Sequence, residues 1–490
     1  MNSCFPQRSR LTMLCVLGLV AVLGACGGGD ENESGPSLAG VWEFTGYGSV
    51  VEIKRQAGGW RAVHYETTRE ACRIGLGQFD LGKDIANRIL RLGADGQSVE
   101  WVEAGQTLTP GRRGQRVAAL PQRCQQGRWL RAGEAGYRPD ALREFDWAWA
   151  SFNELYHDFA LSGTRWDQQR NLRGRLTAQS DETALFETLA EMVFPLHDGH
   201  AGVFLGERDF ALTRKPLLPE RAAMLYNELN GLSDPLDPDQ ETQRAAFVAR
   251  VLQRMQDAPF AQASQSALKT RANGRLRWWR RDDGLVVVQL LAMGGYVKGE
   301  ADLTDETPVF VAALDELMAD ARGARGMLLD LRFNLGGMDE HAVRLASRFA
   351  ATRTHAYSKQ ARAGDGRTPL LPVVLDAQGA SRFAGPLAVL TSSSTFSAAE
   401  VLALSLRSLP QVRLFGERSA GALSDALPRH TGGQLQFTLS NEFYLNPQGE
   451  WFESLGVPVH FELPVLDREQ LETGRDAVLD RALQWLRTGS

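Results

Sequence analysis

A chain of 490 residues, 43% hydrophobic and 23% charged, has globular composition and room for about three domains of roughly 150 residues around a large buried core. The formal net charge is −5. Setting aside residues 1–25, which hold Arg8 and Arg10, leaves 52 basic against 59 acidic groups, so no broad basic surface is implied and nucleic acid is argued against as a partner.

At the N-terminus Arg8 and Arg10 precede an apolar run, Leu11–Leu23, that ends in Gly24 and Ala25 before Cys26, the pattern of an export signal. The run is too short to span a bilayer, which takes roughly 20 apolar residues. Leu23-Gly24-Ala25-Cys26 is similar to a bacterial lipobox, so residues 1–25 are expected to be a lipoprotein signal peptide and Cys26 the acylated first residue of the mature chain, rather than an incidental cysteine after an ordinary signal. Residues 26–37, rich in Gly, Asp, Glu and Ser, then form a flexible tether. The expected location is the cell envelope, with the chain lipid-anchored to a membrane at Cys26. The absence of Asp at position 27 favours the outer membrane, facing the periplasm. Cys4 and Cys15 leave with the signal, and Cys72 and Cys124 remain as a candidate disulfide, worth about 2–4 kcal/mol, or as two separate buried thiols. Neither has a His or Cys neighbour at metal-ligand spacing, so no metal site is expected.

Residues 38–132 show period-two patterning with Gly turns, as in Val50-Val51-Glu52-Ile53, Trp60–Tyr65 and Val99–Val102, which predicts a small β domain whose role is not readable. From 138 to 205 the period becomes helical, with Phe145, Trp149, Phe152, Leu155 and Tyr156, then Leu185, Leu189 and Met192. Residues 206–280 read as helices and loops broken by Pro216, Pro219, Pro235 and Pro238, with no clear PDZ module. From 281 to 490 strands and helices alternate: Gly284–Leu291, Pro308–Ala321, Met327–Leu331, Asp339–Ala350, Leu387–Leu390 and Ala398–Ser408. The fold class is therefore α/β, with βαβ units and a substantial parallel sheet.

Two segments of that region carry chemistry. Leu387–Leu390 runs into the hydroxyl-rich turn Thr391–Thr395, and Ser397 follows at the N-terminus of the helix that Ala398-Ala399-Glu400 opens. There the unpaired amides and the positive dipole end can stabilise an oxyanion, or the serine can simply cap the helix. The second segment, Asp330-Leu331-Arg332-Phe333-Asn334-Leu335-Gly336-Gly337, ends a buried strand in paired glycines that let a backbone approach a substrate closely.

Together these segments resemble the C-terminal processing (tail-specific) peptidases and the tricorn core, whose patterns are Asp-x-Arg-x-Asn-x-Gly-Gly and Ser-Ala-Ala-Glu. Further matches are Asp198-Gly199-His200, Trp166-Asp167, Gly416-Glu417-Arg418-Ser419-Ala420-Gly421, Glu453-Ser454-Leu455-Gly456-Val457 and Gly474-Arg475-Asp476, covering about 340 residues from Arg138 onward. The resemblance implies a ClpP/crotonase-like peptidase core. It also implies Ser397 as nucleophile, His200 as base rather than the nearby His197, and Asp330, Arg332 and Asn334 as structural supports of the glycine loop. The amides of Ala398 and of Gly336 or Gly337 would be the oxyanion donors, each worth roughly 3–4 kcal/mol.

Bacterial processing enzymes of this type use a Ser–Lys dyad with the lysine directly after the Gly of the Gly-Glu-x-Thr-x-Gly turn, where this chain has Ala422. What remains is the tricorn-like, histidine-type arrangement with Glu453 as the third member. In tricorn a serine precedes the histidine, whereas here Gly199 does, so Asp198, a water or another hydroxyl must connect His200 to Glu453. The implied activity is serine endopeptidase chemistry on a polypeptide substrate through an acyl-enzyme, with no metal or organic cofactor. The alternative is a catalytically silent ligand- or peptide-binding protein on the same fold, as in the related modules of interphotoreceptor retinoid-binding proteins. An acyl-CoA enzyme of the crotonase group is a third option, and no feature of the chain supports CoA binding.

Overall fold

The computed structural model describes residues 37–489 apart from 265, 378, 380 and 381. The expected signal peptide, the Cys26 anchor and the tether up to residue 36 lie outside the described residues.

Residues 40–117 form a seven-stranded antiparallel sheet in the order Cys72–Gly82, Gly59–Thr67, Ser49–Gln56, Gly40–Phe44, Arg112–Val117, Ser98–Trp101, Leu90–Leu92. Alternation along the strands sends Trp42, Phe44, Val51 and Ile53 to a face that packs in one cluster with Phe145, Trp147 and Phe152 of the helix Ala141–Leu155. Val50, Tyr65 and the Cys72–Cys124 disulfide (Cα–Cα 5.2 Å) cluster on the other face. This sheet is welded to the rest of the chain by buried arginines. Arg429 donates to the carbonyls of Gly48 and Thr67 at 2.8 and 2.9 Å, and Arg73 pairs with Glu144 at 2.9 Å beneath the Trp147 ring.

The helix Ala141–Leu155 begins where the Asp140 carboxylate accepts the N–H groups of Leu142 and Arg143, and Asp181 caps Glu182–Val193 in the same way. Between Leu205 and the core lie a short hairpin and two packed helices, Leu218–Asn230 and Pro238–Asp257.

The core sheet has the order Lys269–Arg271, Leu276–Arg280, Leu285–Leu290, Gly326–Asp330, Leu387–Thr391, Val412–Gly416, Phe461–Glu462; it is antiparallel over the first three strands and parallel thereafter. Its central strands Leu285–Leu290, Gly326–Asp330 and Leu387–Thr391 are buried on both faces, which is why they read as largely unbroken apolar runs. Val286, Val288, Leu329 and Val389 face a layer that includes the helices Leu303–Asp320, Asp339–Ala346 and Ala398–Arg407. Val287, Leu328 and Leu390 face the helix Ala477–Thr488 and the two insert helices. The first of these helices starts five residues ahead of Pro308 because Asp302 caps it, and the second stops at Ala346 rather than Ala350.

The parallel neighbours Gly326–Asp330 and Leu387–Thr391 place the glycine loop and Ser397 side by side beyond their carboxyl ends, the crevice in which α/β sheets bind ligands. Among the described residues no helix is long and apolar enough to cross a membrane.

Candidate functional site

The turn before Ser397 is pinned hydroxyl by hydroxyl. Thr391 donates to Glu417 O, Ser392 to Arg332 O, Ser393 to Pro216 O and Thr395 to Leu331 O, at 2.6–3.0 Å, while Ser394 Oγ accepts the Leu218 N–H at 2.7 Å. Ser397 comes next, partly exposed, at φ 56° and ψ −128°, a conformation costly for a residue with a Cβ. Its hydroxyl caps no amide of the helix; its N–H instead donates to Glu400 Oε2 at 3.1 Å. The capping alternative therefore does not account for the serine.

Gly336 sits against this turn so closely that a Cβ there would lie 2.7 Å from both Phe396 O and Ser397 Cβ. Its amide, one of the expected oxyanion donors, donates to Asn334 Oδ1 at 2.9 Å, which corrects that expectation. Gly337 is differently placed, since its contact with Met293 is made by Met293 N–H to Gly336 O and Met338 N–H to Met293 O, both of which leave the Gly337 amide aside. Ala398 is the first helical residue, whose amide has no partner within the helix. Asp330 accepts Nε, Nη2 and the backbone N–H of Arg332 at 2.9–3.0 Å, and Arg332 Nη1 reaches Asp476 at 2.8 Å. Burial opposes the guanidinium charge, but the two carboxylates outweigh it and raise the pKa of Arg332. These residues and Asn334 support the loop from within.

Glu400 is fully buried and ties the nucleophile turn to residues 419–422. Besides the Ser397 amide it accepts Ser419 Oγ at 2.6 Å and the amides of Gly421 and Ala422 at 2.7 and 2.8 Å. Burial raises its pKa against the pull of those donors. Ala422, where a dyad lysine would stand, is buried against Phe396 and Ala420. The lysine that does approach this turn, Lys215, spends its ammonium on the carbonyls of Ser419 and Leu455 at 3.1 and 2.8 Å.

His200 reaches the site through Phe396, the residue before the nucleophile. The two rings meet edge to face with centroids 4.9 Å apart. The main chain of His200 is fixed by its N–H to Asp198 Oδ1 at 2.9 Å and by Thr438 Oγ1 to its carbonyl at 2.6 Å, next to the pairing of Gly202–Leu205 with Gln436–Ser440. His197, its competitor, is exposed in a left-handed turn against Phe194. The structure also explains Gly199, because a Cβ there would lie 2.6 Å from two carbons of the Phe396 ring.

Glu453 is buried with Oε2 accepting the amides of Leu423 and Ser424, each at 3.0 Å. Burial first, then the nearby Asp198 and Glu400 charges, push its pKa well above the usual carboxylate range. Its Oε1 lies 3.9 Å from Nε2 of His157, and Asp198 Oδ2 lies 3.7 Å from the same nitrogen. His157, which sequence reasoning missed, thus stands between the two carboxylates. Its only mark in the sequence is a His-Asp pair directly after the aromatic helix stripe. Cys72 of the N-terminal sheet and Cys124 of the short helix Gln122–Gln125 lie in the N-terminal part of the chain, and among the described residues no cluster of three or more His, Cys, Asp or Glu could hold a metal ion.

Residues 287–463 match the family model of peptidase family S41, a span that takes in Gly336, Gly337, Ser397, Ala398 and Glu453 but not His200. The carboxy-terminal processing protease CtpA of Bacillus subtilis (strain 168) is 28% identical over 168 residues, 32% of this chain and 34% of that protein, so the match spans about a third of the relative's length. The crystal structure of a candidate peptidase from Parabacteroides merdae ATCC 43184 superposes with a TM-score of 0.55 at 20% identity, covering 72% of this chain and 98% of that one, a likeness of fold. The stretch that builds the parallel sheet, the glycine loop and the Ser397 turn is thus a peptidase family S41 domain.

Proposed function

We propose that the protein is a serine endopeptidase in which Ser397 attacks a peptide carbonyl, His200 takes its proton and returns it to the leaving amine, and water releases the acyl-enzyme. The observation that carries the reading is the state of Ser397. Its hydroxyl caps nothing, in a strained backbone position, next to the amide of Ala398 and to the ring that meets His200. The amides of Ala398 and Gly337 are the oxyanion donors in this reading. Asp198 and Glu453 are the carboxylates that support the base, Asp198 by holding the His200 main chain. The substrate is a polypeptide, in keeping with the family of the domain and with the processing protease it resembles.

In the same proposal the enzyme lies in the cell envelope with its lipid at Cys26, a reading supported by the resemblance of residues 1–26 to an export signal ending in a lipobox. Mass spectrometry of the mature N-terminus tests that part; an unmodified Cys26, or a chain still starting at Met1, would remove the anchor. The chemistry is tested by peptide-library cleavage and by a serine-directed fluorophosphonate, with Ser397→Ala and His200→Ala beside the parent chain. Labelling at Ser397 and a loss of at least about 10³-fold in both variants are expected. A chain that neither cleaves nor takes label would be the silent binding protein instead.

A further inference from the structure

The loop that holds His200 rests on a buried group that the reaction as described does not use. His157 follows the helix Ala141–Leu155, and its ring is enclosed by Tyr156, Phe443 and Trp451. Its Nδ1 accepts the N–H of Asp158 at 2.6 Å. A ring nitrogen that accepts an amide proton carries none of its own, so the proton of the neutral imidazole is on Nε2. That N–H points between Asp198 Oδ2 at 3.7 Å and Glu453 Oε1 at 3.9 Å, contacts just beyond direct hydrogen-bond length. Both His157 Nε2 and Asp198 Oδ2 are buried, and a buried polar pair left this far apart in a native fold calls for an explanation.

The charged and titratable groups around the ring are Asp198, Asp158, His200, Arg362, Glu453 and Tyr156, whose phenol also lies against Asp198. Burial outweighs the two aspartates and lowers the pKa of His157 to about 4, so at neutral pH the ring is a donor without charge. Asp198 uses its other oxygen to hold the N–H of His200. One short path therefore runs from Glu453 through the His157 ring and the Asp198 carboxylate to the main chain of the base.

Resting on the peptidase reading above, we propose that His157 is a positioning residue of this site: its Nε2–H is shared between Asp198 and Glu453 and thereby holds the His200 loop in its working position. It fills the gap between base and glutamate that Gly199 leaves, from a different part of the chain. Without that donor nothing stands between the two carboxylates, and the Asp198 side chain that holds the His200 N–H loses its brace toward Glu453.

The test is kcat and KM for the full chain and for His157→Phe and His157→Gln, with fluorophosphonate labelling of Ser397 read in the same samples. In His157→Phe kcat should fall about 10- to 100-fold with KM within about twofold, the size expected for one hydrogen bond to a charged group. His157→Gln, whose amide keeps a donor near the Nε2 position, should recover to within about fivefold. Independent of any variant, nitrogen NMR of the parent chain should show His157 neutral and protonated at Nε2 from pH 5.5 to 8. A parent that takes no label overturns both this inference and the reading it rests on. A labelled, active parent overturns the inference alone if His157→Phe keeps its kcat, if His157→Gln fails as badly as His157→Phe, or if NMR finds the proton on Nδ1.

Discussion

Around Ser397 five consecutive hydroxyl residues, Thr391 to Thr395, each spend their side chain on the backbone of a neighbouring segment, and Glu400 gathers four donors beneath them. Around His200 the corresponding polar atoms, His157 Nε2 and Asp198 Oδ2, are buried 3.7 Å apart. The nucleophile half is thus over-determined, with every bond worth about 1 kcal/mol and their sum available to hold a strained serine. The base half is held by main-chain contacts at His200 and leaves its side-chain partners a small distance to close, which a bridging water or a slight shift can supply. A site that must bind, release and rebind a peptide gains from such a division: one rigid wall that preorganises the oxyanion donors, and one wall that can adjust.

The largest expected effect lies on the rigid side. Ser397→Ala should abolish cleavage by at least about 10³-fold, or about 4 kcal/mol of activation free energy, while urea unfolding changes by less than about 0.5 kcal/mol because the hydroxyl caps no amide. A large loss of stability would mean that the serine does cap the helix. Glu400→Ala attacks the same wall from beneath, leaving the Ser397, Gly421 and Ala422 amides and the Ser419 hydroxyl without their acceptor. It should cost about 4 kcal/mol in urea unfolding. If it costs less than about 1 kcal/mol, the rigidity ascribed to this wall is absent.

How far each wall can be read from the sequence follows the same division. The Ser397 turn and the glycine loop are legible because they are contiguous: an apolar strand, a polar turn and a helix start lie next to one another in the chain, and parallel pairing of Gly326–Asp330 with Leu387–Thr391 follows from βαβ connectivity. Which glycine amide is spent cannot be read, since Gly336 and Gly337 differ only in that Asn334 folds back onto the first. His157 is illegible for a stronger reason. Its partners Asp198 and Glu453 come from distant segments, and neither the helical stripe before it nor its own neighbours mark it as more than a core histidine. The disulfide partners could be narrowed to Cys72 and Cys124 by counting, but not the packing of the N-terminal sheet through Arg73 and Arg429, which depends on where the Trp147 ring lies.

A third prediction sharpens the comparison through pH. His157, with a folded pKa of about 4 against an ordinary 6.5, binds fewer protons when folded than when unfolded across that interval. The stability it gives is therefore complete above 6.5 and lost as the pH falls toward 4, by up to about 3 kcal/mol. Buried His64 and His341, also lowered to about 4 by burial, act with the same sign. Asp339, raised to about 7 by burial, acts oppositely: what it contributes is complete below the ordinary carboxylate range and lost as the pH rises toward 7. Urea unfolding at pH 7.5 and 4.5 should show a shallower acid loss in His157→Gln than in the parent, by up to about 3 kcal/mol. Equal slopes would mean that the imidazole is charged in the folded protein.

The smallest effect concerns the point where the two walls touch. Phe396 belongs to the rigid side, yet its ring meets His200 and occupies the space beside Gly199 where a side chain would go, with Thr213 Cγ2 3.1 Å from the same position. Gly199→Ser should therefore force that ring aside and cost about 2 kcal/mol, an ordinary price of overpacking. It should also lower kcat by about tenfold or more as the imidazole is displaced with it. Phe396→Leu on its own leaves a partly filled cavity, but in the double variant the smaller side chain makes room for the serine, and the two costs should fall short of additive by about 1 kcal/mol. Strict additivity in this cycle would separate Gly199 from Phe396, and the edge-to-face contact would then no longer explain why the residue before the base has no side chain.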